Sequence, residues 1–220
     1  MMRYLLVSCM LIGLCLACRS PKEGKSPMEA QLPVKKGVWV GERDSLKDVF
    51  QPLDGHWEGE FLVFTNPEGQ APAPVRPRSL SAKMIQDLGY PITYKVQVHQ
   101  HYESESPFYQ TVRITDTYVN ESGQADTVNS SGYNQVTEEG GLLCVVNKPD
   151  EQVIHNGSLP APHTIIWERD LRDPLKVEFF YESVQADTYS ILGWGYYGDD
   201  DPQKAPKTWF MANYQRVPEE

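Results

Sequence analysis

Gly55-His56-Trp57-Glu58-Gly59-Glu60-Phe61-Leu62-Val63-Phe64 is the stretch on which the reading of the fold turns. On a two-residue period Trp57, Gly59, Phe61 and Val63 share one face, and Glu58 and Glu60 share the other. Such alternation predicts a half-buried strand. A glycine inside it marks a sharp bend or a close backbone approach. Immediately upstream, Ser45 is a candidate helix cap, and Leu46, Val49, Phe50 and Leu53 carry a helical spacing that Pro52 and Gly55 end. One or two helical turns therefore lead into the first strand.

Downstream, Asn66 to Pro77 holds Pro67, Pro72, Pro74 and Pro77 and reads as a loop. Ser81 to Leu88 reads as a short helix ended by Gly89. From Pro91 onward the pattern is β. Ile92, Tyr94, Val96 and Val98 alternate with polar neighbours, and Phe108–Val119, Ala125–Val136, Gly141–Asn147, His163–Arg169 and Asp187–Tyr197 follow as strands. Leu175, Val177, Phe179 and Tyr181 alternate with Lys176, Glu178, Phe180 and Glu182, and Lys207–Val217 is the last strand. Asn156-Gly157 reads as a turn. Strands at this spacing, without βαβ units, predict an all-β domain over residues 45–220, a sandwich or, as the reading adopted, a closed antiparallel up-and-down barrel of roughly eight to ten strands.

The Gly55-His56-Trp57-Glu58-Gly59 segment behind a helical turn resembles the calycin superfamily, the lipocalins and their relatives. In lipocalins a Gly-x-Trp on the first strand closes the barrel base, and an Arg late in the last strand packs across that Trp. The resemblance implies this barrel-closing role for Trp57, Gly59 and Arg216. Arg216 shares a face with Thr208, Phe210, Ala212 and Tyr214. The run Thr208-Trp209-Phe210-Met211-Ala212-Asn213-Tyr214-Gln215-Arg216 is also similar to the bilin-lyase-like and nitrobindin-like branches. Nitrobindins hold haem through one His, and that ligand maps onto no particular His of this chain.

The N-terminus reads as an address. Arg3 precedes the mostly apolar run Leu5–Leu16, which is too short to span a bilayer and fits the apolar core of an export signal over residues 1–17. Leu16-Ala17-Cys18 resembles the lipobox of bacterial lipoproteins, which implies that Cys18 is the lipid-bearing first residue of the mature protein. Buried acyl chains at ~0.8 kcal/mol per CH₂ then hold it on a bilayer. Residues 18–44 form a polar tether. Arg19 after the Cys is consistent with sorting to the outer membrane of the cell envelope.

The chain carries a net charge of −10 and no Lys/Arg run in the mature domain, which argues against a nucleic-acid partner. Of its four cysteines, Cys9, Cys15 and Cys18 belong to the signal or the anchor, so Cys144 has no disulfide partner and is expected as a small buried hydrophobe. His99 and His101 lie two apart on a strand face expected to point outward. His155 and His163 fall in turns, and Asp199-Asp200-Asp201 matches no cation-loop template. Neither a metal nor a cofactor is expected. No Gly-x-Ser-x-Gly elbow or convergent triad indicates an enzyme, Ser130-Ser131-Gly132 included. Asn120-Glu121-Ser122 is a glycosylation pattern expected to go unused in a bacterial lipoprotein.

The candidate ligand residues are aromatic: Tyr94, Tyr133, Trp167, Phe179, Tyr181, Trp194 and Tyr196. Facing inward, they would line a pocket for a small hydrophobic or planar molecule. The other reading is a packed barrel that serves structure or protein interaction without a small-molecule ligand.

Overall fold

The computed structural model describes residues 42–72, 80–119 and 123–218. The export signal, Cys18, nearly all of the tether and Asn120 lie outside these residues.

Ten antiparallel strands close into one barrel in the order β1-β10-β9-β8-β7-β6-β5-β4-β3-β2, an up-and-down meander. They are β1 (Gly55–Thr65), β2 (Ile92–Ser106), β3 (Tyr109–Val119), β4 (Ala125–Val136) and β5 (Leu142–Asn147), followed by β6 (Gln152–Ala161), β7 (Thr164–Arg172), β8 (Leu175–Gln185), β9 (Thr188–Tyr197) and β10 (Thr208–Val217). Closure removes the unpaired edges that an open sheet would expose. A short helix, α1 (Ala82–Asp87), follows β1 and is capped by the Ser81 hydroxyl, which accepts from the Met84 amide at 3.2 Å.

The meander puts the β2–β3, β4–β5, β6–β7 and β8–β9 turns at one end, where two 3₁₀ turns, Arg43–Leu46 and Gln51–Leu53, pack. This end is sealed. Leu46 and Phe50 bury against Val136, Leu142, Ile165 and Trp167. Gln110, fully buried, donates to the Phe50 carbonyl and to Asp54 Oδ1, both at 2.8 Å, and accepts from Asn134 at 3.0 Å. These bonds satisfy the backbone of a short helical segment that cannot close its own ends.

Two expectations change. Asn156-Gly157 is not a turn but the middle of β6, a strand the sequence reading missed. The reason lies across the ladder. Gly157 pairs with Trp167, and a Cβ on it would lie 2.6 Å from the Trp167 ring and 2.8 Å from Leu142 Cβ. The glycine makes room for an indole instead of turning the chain. His155 consequently sits in a strand; His163 does lie in a turn, between β6 and β7, with φ 57°.

Register then assigns every side chain to a face. Paired residues share a side, and alternation carries the assignment along each strand. Starting from buried Trp57, the lumen receives Gly59, Phe61 and Val63 from β1 and Phe210, Ala212, Tyr214 and Arg216 from β10. It receives Tyr189, Ile191, Gly193, Gly195 and Tyr197 from β9. From β8 it receives Lys176, Glu178, Phe180, Glu182 and Val184. The polar face of β8 therefore points inward and its apolar face outward, the reverse of the usual arrangement for a half-solvated strand. The outer face of β8 is half-buried, because Leu175, Val177 and Phe179 pack against an apolar cluster of Phe64, Trp194, Tyr196, Trp209 and Ile85 of α1, with Leu80, Leu88 and Tyr90 beside it.

Candidate functional site: the barrel lumen

The closed end of the lumen is filled. Trp57, Tyr189, Tyr214, Tyr102, Val98 and Val112 form one buried cluster. Trp57 meets Tyr189 edge-on at 5.6 Å, and Tyr189 meets Tyr214 at 5.0 Å. The Trp57 indole donates to the Leu53 carbonyl at 2.7 Å. Arg216 lies 4.1 Å over the Trp57 ring, donates to the Pro52 carbonyl at 2.9 Å, and bonds the Asp54 carbonyl as well. Gly59 admits this closeness, since a Cβ there would lie 2.2 Å from the Asn213 carbonyl oxygen.

Nearer the open end the filling is looser. Phe61, Phe180, Ile114 and Cys144 all face the lumen of a closed barrel, yet each is only half-buried. Phe61 stacks on Phe210 at 5.7 Å, Phe210 meets Phe180 at 6.1 Å, and Phe180 meets the His155 ring at 5.1 Å. This row of rings crosses the lumen from an apolar wall to a charged one.

The charged wall comes from β6, β7, β8, β9 and the β5–β6 turn. His155 Nε2 lies 2.8 Å from Glu178 Oε2, and the Tyr197 hydroxyl donates to Glu178 Oε1 at 3.0 Å. Arg169 is 3.9 Å from Glu178 and donates to Glu151 at 3.2 Å, while Lys176 also pairs with Glu151. Burial opposes ionisation of Glu178, but His155, Arg169 and the Tyr197 hydroxyl overcome it and hold the carboxyl at about 2. The same attraction from Lys176 and Arg169 lowers Glu151 against its own burial. These pairs explain why β8 turns its charges inward at tolerable cost, because each buried carboxylate meets cations and hydrogen-bond donors.

Glu182, four residues along β8 from Glu178 toward the sealed end, has a different setting. It is buried, and Tyr189 donates to its Oε2 at 3.1 Å. Its Oε1 has no hydrogen-bond partner among the described residues. Burial pushes this carboxyl up to about 7, against the hydrogen bonds from Tyr189 and Trp167. Burial and Glu182 together push the Cys144 thiol up, so the thiol is poorly nucleophilic. Cys144 is the one free cysteine among the described residues and is half-buried, more open than a packed core residue.

The seven expected ligand residues do not come together. Trp167 faces the lumen at the sealed end, stacked 6.5 Å from Phe50, and Tyr94 faces it at the open end. Tyr133 points outward and stacks on Tyr109 at 5.4 Å. Phe179, Tyr181, Trp194 and Tyr196 lie on the outer faces of β8 and β9. Phe179 stacks on Trp194 at 4.3 Å and meets Tyr181 at 5.4 Å, and the Tyr196 hydroxyl donates to the Lys204 carbonyl at 2.9 Å. The alternation was legible, but its side was not: the outer face packs into the apolar cluster that includes Ile85 of α1. The lumen residues that sequence reasoning passed over were Phe61, Phe180, Phe210, His155, Glu178 and Glu182. The polar partners alternating with the apolar run 175–181 were the available signal.

The remaining candidates stay apart. His99 and His101 face outward as expected; His99 lies 3.3 Å from Glu58, and His101 stacks on His56 at 4.0 Å. Asp200 caps the loop after β9, accepting from the Tyr197 amide at 2.9 Å and pairing with Lys207 at 2.5 Å. Ser130 faces the lumen and lines an open cleft of about 480 Å³, together with Arg113, Asn129, Asn147 and Lys148. The cleft opens where β4 runs past its pairing with β5, which covers Ser131–Val136 only.

No protein-family model matches the chain, and no curated protein matches it. Among solved structures, Rv2717c from M. tuberculosis aligns at 15% identity with a TM-score of 0.51, covering 79% of this chain and 99% of that one. A redesigned β barrel aligns at 11% identity and TM-score 0.35, covering 79% and 98%. A protein of unknown function of the DUF3598 family from Nostoc punctiforme aligns at 9% identity and TM-score 0.23, covering 77% and 98%. The first likeness is one of fold alone, and this chain is a closed ten-strand antiparallel barrel.

Proposed function

We propose that the protein is a lipid-anchored binding module of the bacterial envelope, whose barrel holds a small, largely apolar molecule in the open half of its lumen. The observation that carries the reading is the incomplete burial of Phe61, Phe180, Ile114 and Cys144 inside a closed barrel. Ligand sites are concave, mostly apolar and furnished with a few placed polar groups. Here the ring row Phe61–Phe210–Phe180 supplies the apolar surface, and His155, Glu178 and Tyr197 supply the polar wall. The role is binding rather than catalysis. The anchor reading is supported by the apolar run Leu5–Leu16 and by Ala17-Cys18, and it puts the module on a membrane, with the outer membrane favoured by Arg19.

The test is native mass spectrometry of the full-length protein extracted from a bacterial envelope. The expected result is a chain processed at Cys18 with acyl mass added, carrying a small molecule that is released on unfolding. A chain without acyl mass contradicts the anchor. A chain without a bound molecule, and without affinity for an apolar fluorophore, supports the second reading. In that reading, favoured by the tight packing of Trp57, Tyr102, Tyr189 and Tyr214, the barrel is filled and serves interaction.

A further inference from the structure

We infer that the lumen selects a small organic amine, with its ammonium bonded to Glu182 Oε1 and its apolar body against Phe180 and Phe61. The inference rests on the lumen being a binding site and names the ligand class.

Glu182 is a carboxylic acid placed within an aromatic interior, with 8% of its surface exposed. Glu178 and Glu151, on the same wall, are each matched by cations. Glu182 has no ion pair among the described residues; its hydrogen-bonding neighbours, Tyr189 and Trp167, are neutral donors. One of its oxygens is satisfied and the other, Oε1, is buried without a partner. An unmatched buried acceptor is costly, and a donor that arrives with positive charge removes that cost most completely.

The chemistry around Glu182 agrees with such a ligand. Glu182 follows Phe180, which is half-buried, on the lumen face of β8. Tyr189 donates to the carboxyl and Tyr102 meets Tyr189 edge-on at 6.2 Å, so the acceptor sits among neutral aromatic groups, which favour an ammonium over a second anion. Tyr102 and Tyr189 hydroxyls lie 3.4 Å apart and Tyr102 bonds Gln100 at 3.3 Å, so the donors beside Glu182 are held by a buried network and not free to swing onto Oε1. The chain's net charge of −10 adds a general attraction for cations.

The experiment compares 2-phenylethylamine with its near-isosteric alcohol, 2-phenylethanol, by calorimetric titration of the full-length protein, and repeats both with Glu182→Gln. Near-UV circular dichroism confirms that the variant keeps its aromatic packing, and Glu58→Gln, on the outer face of β1, serves as a carboxyl control outside the lumen. The expected result is binding of the amine about tenfold or more tightly than the alcohol, lost in Glu182→Gln and retained in Glu58→Gln. Equal binding of amine and alcohol overturns the inference, as does an amine preference that survives Glu182→Gln. No binding of the amine overturns it too. If an apolar fluorophore still binds in that case, the binding-module reading stands and only the amine assignment falls.

Discussion

Arg216 and Trp57 face each other across the β1–β10 seam, with the guanidinium 4.1 Å above the indole. The contact joins the last strand to the first, and the Arg216 bonds to the Pro52 and Asp54 carbonyls tie both to the turn that seals the barrel floor. Arg216→Ala removes the stacking and strands two carbonyls. The expected loss is about 2–3 kcal/mol of unfolding free energy by urea titration. Arg216→Lys restores little of it, since an ammonium lacks the planar fork.

Gly157→Ala tests the reading of β6 as a strand built around an indole. A Cβ there meets the Trp167 ring and Leu142 Cβ well inside contact distance. Overpacking of this kind costs about 1–3 kcal/mol and displaces Trp167, so the variant is expected to unfold at lower urea and to shift its tryptophan emission. Were Asn156-Gly157 a turn, the same change would cost backbone strain but leave Trp167 and its emission unmoved.

Two lumen carboxyls give opposite pH dependences. Glu178 is held at about 2 against an ordinary 4.5, so its contribution is present above 4.5 and is lost as pH falls toward 2. Glu182 is raised to about 7, so the stability linked to its proton is full below 4.5 and is lost as pH rises through 7. Each linkage is on the order of 3 kcal/mol. Urea unfolding at about pH 5 and about pH 8 is expected to show a drop at the higher pH that Glu182→Gln removes. In Glu178→Gln the acid-side loss is expected to shrink.

The neighbouring pair Phe179 and Phe180 separates the two faces of β8. Phe179 stacks on Trp194 in the outer apolar cluster that includes Ile85 of α1, and Phe180 meets Phe210 and His155 in the lumen. Both alanine variants lose about 2–4 kcal/mol of stability. Phe180→Ala is expected to alter ligand affinity, and Phe179→Ala to leave it unchanged while loosening α1, read by amide exchange of residues 82–88.

This pair also shows how far the sequence could be read. Strand periodicity, the helical turn before Trp57 and the Trp57–Arg216 pairing were legible because each is local or lies at a chain end. The side of β8 was not, since it depends on whether something covers the outer face. An apolar cluster that includes Ile85 of α1, distant in sequence from β8, packs there, and Lys176 and Glu178 are matched by residues from β6, β7, β9 and the β5–β6 turn. Gly157 misled for the same reason: its purpose lies in Trp167, across the ladder. The lumen site was hidden because its residues alternate with the conspicuous aromatic ones.

The most direct test of the binding account is saturation of the native protein with a neutral naphthyl fluorophore, repeated with Ile114→Trp, which adds bulk to the half-buried lumen wall. The account predicts saturable binding of one fluorophore per chain, abolished by Ile114→Trp while the barrel still unfolds cooperatively. Absence of saturable binding, or binding that Ile114→Trp leaves intact, would contradict it.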